Sequence, residues 1–150
     1  MSRVRVETVI AELARDWELP ELILDENDYV CLQGADGTIV NIDYFEEDAA
    51  LSLYVTVAPN PEQDRAVVYQ LMLEGNCNWS ETAGTTLALD ETGEYILLTA
   101  ALEAATLDLD GLVQQIERLL TTATDWAEYI KSLLDETPTT TESAEPVDFA

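Results

Sequence analysis

The chain has 150 residues, in which 31 aspartates and glutamates stand against 6 lysines and arginines, for a formal charge of −25. That charge repels phosphate backbones and anionic bilayers, which argues against nucleic-acid or membrane binding. No apolar run approaches the ~20 residues needed to cross a bilayer, and an apolar content of 47% suits one globular domain.

Val6, Val9, Ile10, Leu13, Ala14 and Trp17 recur at helical spacing and predict an amphipathic first helix over 4–17. Glu7, Glu12, Arg15 and Asp16 break what would otherwise be a signal-peptide core, so a cytosolic protein is expected. Pro20 and the acidic turn from Asp25 to Asp28 close that unit. Three strands are predicted next, over 29–33, 38–44 and 50–58. In the third, Leu51, Leu53, Val55 and Val57 alternate with Ser52, Tyr54 and Thr56. Period-two alternation with a turn at Gly34-Ala35-Asp36-Gly37 describes an antiparallel meander with one buried face.

Pro59-Asn60-Pro61 introduces a second helix over roughly 62–76. Val67, Val68, Leu71 and Met72 form one stripe, and Tyr69 and Leu73 carry apolar surface around the side. A helix apolar beyond one stripe is buried on two sides, either within its own core or against a second subunit. A β-hairpin follows, with strands over 85–89 and 95–103 around Asp90-Glu91-Thr92-Gly93, where glycine supplies the turn conformation. The last helix carries Leu109, Leu112, Ile116, Leu119, Ala123, Trp126, Ile130 and Leu133 at alternating three- and four-residue steps. Val113, Leu120, Ala127 and Leu134 flank that seam, giving a stripe wide enough to lie across a sheet. The folded domain is therefore expected over 1–134, with an acidic Thr-, Ser- and Pro-rich disordered tail over 135–150 that ends near Phe149.

Little here points to chemistry. The absence of histidine removes Ser-His and Cys-His nucleophile pairs and the commonest metal ligand. Cys31 and Cys77 cannot make a zinc site alone, and in apolar surroundings they are expected as buried free thiols. The glycines are too scattered for a phosphate loop. The acids of 25–28 and 46–48 fall in turns, and Asp90 to Glu94 lacks the alternating ligands of a calcium loop. No catalytic, cofactor-binding or metal-binding residue is expected, and the protein is read as a binding protein, not an enzyme.

Three local features carry a resemblance. The Leu-rich end of the second helix runs into Asn76 and Trp79, the hairpin reads TLALDETGEYILL, and the final helix contains Trp126. In that order and spacing, on a small acidic chain, they resemble the Tir chaperone family, the class I chaperones of type III secretion, over roughly 4–134. The NCNWSETAG turn and the Thr-rich tail depart from the family pattern. The resemblance implies an α+β fold with element order α-β-β-β-α-β-β-α around an antiparallel twisted sheet, and a homodimer joined through the second helices. It also implies a cytoplasmic bacterial protein that holds the N-terminal segment of a secreted effector in extended form, soluble and ready for secretion. Release would fall to a separate secretion ATPase. Strand addition to a sheet edge, with pockets for alternate side chains, is the physical mode of such binding.

Mapped onto this sequence, the resemblance assigns the dimer interface to Tyr69, Leu73 and Trp79. Cargo contacts fall to Val6, Ile10 and Leu13 on the first helix and Leu32 and Ile42 on the neighbouring strands, with ordinary core packing as the competing role. Arg3, Arg5 and Arg15 are half of all the bases and are free to pair with cargo acids or with the chain's own carboxylates. Two alternatives remain: a regulator of the same fold that sequesters a secretion-control protein, and an acidic DNA mimic that blocks a nucleic-acid-binding protein.

Overall fold

The computed structural model describes residues 2–136. Within them run α1 (Ser2–Asp16), β1 (Tyr29–Gln33), β2 (Ile39–Phe45), β3 (Ala50–Pro59), α2 (Arg65–Asn76), β4 (Thr86–Leu89), β5 (Tyr95–Glu103) and α3 (Leu109–Glu136), with a short 3-10 turn at Cys77–Trp79 after α2. The α+β order expected from the sequence is the order found. Helix α2 begins later than expected, at Arg65, because Asn60 is tied to the β4–β5 turn. Its N–H donates to Glu94 O (2.9 Å) and its Nδ2 to Gly93 O (2.7 Å). Helix α3 continues to Glu136, and the rest of the predicted tail, with Phe149, lies outside the described residues.

The five strands form one antiparallel sheet in the order β1-β2-β3-β5-β4. Alternation decides which side is buried. Val30 and Leu32, Val40, Ile42 and Tyr44, Leu51 to Val57 at odd positions, Leu87, and Ile96 and Leu98 all point to one face. The register Leu32↔Val40, Ile42↔Leu53 and Val55↔Leu98 stacks those side chains across neighbouring strands. A one-residue slip would turn the whole set to solvent, so the register is strongly fixed.

Helix α3 covers that face with the seam read from the sequence: Leu112, Ile116, Leu119, Ala123, Trp126 and Ile130 are buried, with Val113, Leu120 and Ala127 half-buried beside them. Helix α1 packs against α3, and its Val6, Val9, Ile10 and Leu13 join the core cluster that holds the inward side chains of the sheet. Each such aliphatic side chain removed from water stabilises the fold by ~1.5–3 kcal/mol before conformational entropy is counted. The opposite face of the sheet is uncovered among the described residues; Asn41, Asp43, Tyr54 and Thr99 are half-buried there, and Cys31, Gln33 and Thr56 are exposed.

Candidate cargo and subunit surfaces

The two edges of the sheet differ. At the β4 edge, Asn76 at the end of α2 closes the strand with its side-chain amide: Oδ1 accepts from the Leu87 N–H (2.9 Å) and Nδ2 donates to Leu87 O (3.1 Å). At the β1 edge, Asp25 takes up only the first residue. Its Oδ1 accepts from the Tyr29 N–H (3.0 Å), and its own N–H donates to Tyr29 O (2.9 Å). Ladder bonds alternate in an antiparallel pair. The Gly34 N–H donates inward to Thr38 O (2.8 Å), so Leu32 and Val30 face β2 and the peptide groups of Cys31 and Gln33 face outward. The sheet has one edge plugged by an amide and one left open for about three residues. An open edge is a template for a further strand.

Beside that edge lies an apolar groove of about 280 Å³. Trp17 and Leu19 form one wall, Leu32, Val40 and Val57 its floor, and Leu120 and Ala127 of α3 the far side. Trp17 and Leu19 are placed by the way α1 stops. The Leu19 N–H donates to Ala14 O (2.8 Å) and the Glu18 N–H to Arg15 O (3.2 Å), the paired bonds that end a helix through a left-handed residue. That residue is Glu18, at φ 53°, where glycine would be unstrained. The strained turn at Glu18 lies between Trp17 and Leu19, both of which line the groove.

Of the five positions expected to touch cargo, four lie beneath the surface: Val6, Ile10, Leu13 and Ile42 are 0% exposed. Leu32 is 4% exposed and reaches the groove floor. The reason is the facing of the elements, because the sequence stripe that looks adhesive on α1 is the stripe turned toward α3 and the core. Trp17, Leu120 and Ala127, legible in the sequence only as helix-stripe residues, and Leu19 also line the groove. Their half-buried state comes from elements far apart in the chain.

The second surface surrounds α2. Val68, Met72 and Gly75 face the core, while Leu73 (69% exposed) and Trp79 (56%) stand in solvent. Tyr69 is half-buried and donates its hydroxyl to Asn60 Oδ1 (2.6 Å). Val67 and Tyr129 add further exposed apolar area. The approach of α2 to α3 requires Gly75, since a Cβ there would sit 2.7 Å from Trp126 Cζ2. Asn78 and Trp79 are consecutive left-handed residues, at φ 55° and 54°. The turn is held by the Trp126 Nε1 bond to Glu81 O (2.9 Å) and the Glu81 N–H bond to Gly75 O (3.2 Å).

Electrostatics follow the charge count. Arg3 pairs with the chain's own Asp28 and Glu7, and Arg5 donates to Leu107 O (3.2 Å), so these bases serve internal contacts. On the uncovered sheet face, burial and the nearby Asp25 carboxylate raise the Asp43 pKa, against a lowering bond from Tyr54. Burial also pushes the Tyr29 phenol up to about 12, and its hydroxyl donates to Asn41 Oδ1 (2.5 Å). A carboxyl whose folded pKa is raised binds its proton more tightly folded than unfolded. Its ionisation therefore reduces stability as pH rises through that range, and the loss is complete at neutral pH. Asp43→Asn is expected to raise the melting temperature at pH 7, with the difference fading as pH falls toward the ordinary carboxyl range; thermal unfolding at several pH values tests this.

Both cysteines are free, as expected, but they are exposed, not buried. Cys31 occupies an outward position of β1, opposite in phase to Val30 and Leu32, and Cys77 opens the 3-10 turn beyond the packed part of α2. Among the described residues no group of three His, Cys, Asp or Glu side chains could hold a metal ion, and no helix is long and apolar enough to cross a membrane.

A one-sided five-stranded sheet backed by two helices, with a third helix at its far edge, is the fold of the type III secretion chaperones. The chain belongs to the Tir chaperone protein (CesT) family, whose profile matches residues 8–127. Among solved structures, the ExsC–ExsE complex matches at TM-score 0.74 and 23% identity, over 84% of this chain and 93% of that one. The HopA1–SchA chaperone–effector complex matches at 0.70 and 19%, over 85% and 97%. The Yersinia pestis type III secretion chaperone SycH, in complex with a stable fragment of YscM2, matches at 0.64 and 17%, over 80% and 98%. No curated protein matches the sequence significantly.

Proposed function

We propose that this protein is a cytoplasmic type III secretion chaperone that acts as a homodimer. It holds the N-terminal segment of a secreted effector in extended form and so keeps it soluble and competent for secretion. The observation that carries the reading is the open β1 edge beside an apolar groove, in a sheet whose other edge is plugged by Asn76. An added strand would bond to the Cys31 and Gln33 peptide groups and send alternate side chains over Leu32 into the groove. Val6, Ile10, Leu13 and Ile42 do not line the groove but belong to the core cluster that also holds its Leu32, Val40 and Val57. The test is binding of the N-terminal segment of a candidate effector, followed by protease digestion of the complex. The reading requires a segment that is protected yet gains no helical signal, and a bound segment that is helical or unprotected would reject it.

The subunit interface is assigned to Leu73 and Trp79, with Tyr69 beside them. Exposed tryptophan and leucine on a helix that is packed on its other side are poor surface residues for a monomer. Light scattering is expected to give a mass near twice 16.6 kDa. The Leu73→Asp, Trp79→Ser double variant is expected to run as a folded monomer, because both side chains lie outside the core. A wild-type monomer would overturn the interface.

A further inference from the structure

We infer that the β1 edge and its groove select a cationic strand, one that alternates apolar side chains with lysine or arginine. The inference rests on the reading of that edge as the cargo site and adds the chemistry of the occupant. From Asp16 to Asp64 the chain carries thirteen carboxylates and no lysine or arginine. That stretch supplies the end of α1's stop, all of β1, β2 and β3, and so the whole free edge and most of the groove wall. Asp36 stands on the groove rim, and Glu18 and Glu21 flank Leu19 in exposed positions. On the uncovered face, Asp25 lies beside the edge strand, near enough to Asp43 to oppose its ionisation.

Of these thirteen carboxylates, only Asp28 is met by a salt bridge among the described residues, from Arg3. Arg3 is engaged by Glu7 and Asp28, Arg65 donates to Pro61 O (2.5 Å), and Arg118 donates to Gln115 Oε1 (3.5 Å). Arg15 borders the stretch at the end of α1. Strand geometry then sorts the occupant's side chains. Residues of an added strand next to Leu32 point toward the groove and must be apolar. Those next to Cys31 and Gln33 point to the uncovered face, which at the Tyr29 end of β1 carries Asp43, opposite Tyr29, with Asp25 beside it. Lysine or arginine at those outward positions relieves a repulsion already present, and glutamate there adds to it.

The experiment uses four synthetic peptides of equal length, titrated against the full-length protein by fluorescence anisotropy. Three share alternating valines and carry lysine, glutamine or glutamate between them; the fourth keeps the lysines and replaces valine with serine. The lysine–valine peptide is expected to bind about tenfold more tightly than its glutamine counterpart at low salt, with the glutamate peptide weaker still. Asp36→Asn with Asp43→Asn should reduce that preference, and Asn at position 36 can still accept the Thr38 N–H bond that Asp36 now accepts. Glu91→Gln with Asp110→Asn, remote from the groove, should leave the preference intact. Equal affinity of the three valine peptides overturns the charge rule and leaves the site reading standing. Equal binding of the lysine–serine peptide overturns it as well, because attraction to a diffuse acidic surface, as in a nucleic-acid mimic, then suffices. Failure of all four to bind overturns the site reading, and the charge rule with it.

Discussion

Trp126→Ala is expected to lower the unfolding free energy by about 3–5 kcal/mol, the range for truncating a buried tryptophan. This ring is where three parts of the chain meet. It lies on the α3 seam, it packs under Gly75 of α2, and its Nε1 holds the Glu81 carbonyl at 2.9 Å. It also meets Tyr129 edge-on, with ring centroids 5.4 Å apart. Removing it empties the contact that Gly75 exists to permit and frees the turn that displays Trp79. A domain of this size is stable by only about 5–15 kcal/mol, so the loss is a large share of the total. Urea unfolding at constant m-value measures it. A loss below about 1 kcal/mol would mean that α2 does not pack on α3 as described.

Cys31→Pro is expected to weaken cargo binding by about 10- to 100-fold while changing stability by less than about 1 kcal/mol. The argument is one of direction. The Cys31 N–H points away from β2, so proline removes no ladder bond, and an edge position with its N–H to solvent is where a strand tolerates proline. An arriving strand, however, would lose a donor and meet the pyrrolidine ring. Val30→Pro is the contrasting variant, since its N–H faces β2 and its loss should unfold the edge. Unchanged affinity in a folded Cys31→Pro protein would move the cargo site away from β1.

Much of the fold was legible in the sequence, and the reason differs by element. The α3 seam was plain because a 28-residue helix repeats its pattern many times. Strands β1 and β5 were bounded by Gly- and Asp-rich turns, and their limits match residue for residue. The start of α2 was misplaced by three residues because Asn60 anchors to the β4–β5 turn, a contact 33 residues away along the chain. The cysteines misled for a related reason: apolar neighbours in sequence alternate sides in a strand, so Cys31 between Val30 and Leu32 faces the other way.

The candidate site was legible only in outline. The apolar residues of α2 reach around two sides, and the family resemblance assigned Tyr69, Leu73 and Trp79 to a second partner; Leu73 and Trp79 are exposed, and Tyr69 is half-buried. The α1 stripe was equally visible, but a stripe does not say what covers it. Here it is α3 and the chain's own core.

The sequence by itself determined the secondary-structure order, the buried face of β3, the acidity and the lack of histidine chemistry. All of these are properties of local spacing and composition. Tertiary structure decided which edge of the sheet is open, because Asn76 closes β4 only once α2 has crossed to it. It also made the groove, whose walls at Trp17, Leu32 and Ala127 come from elements that meet only after folding.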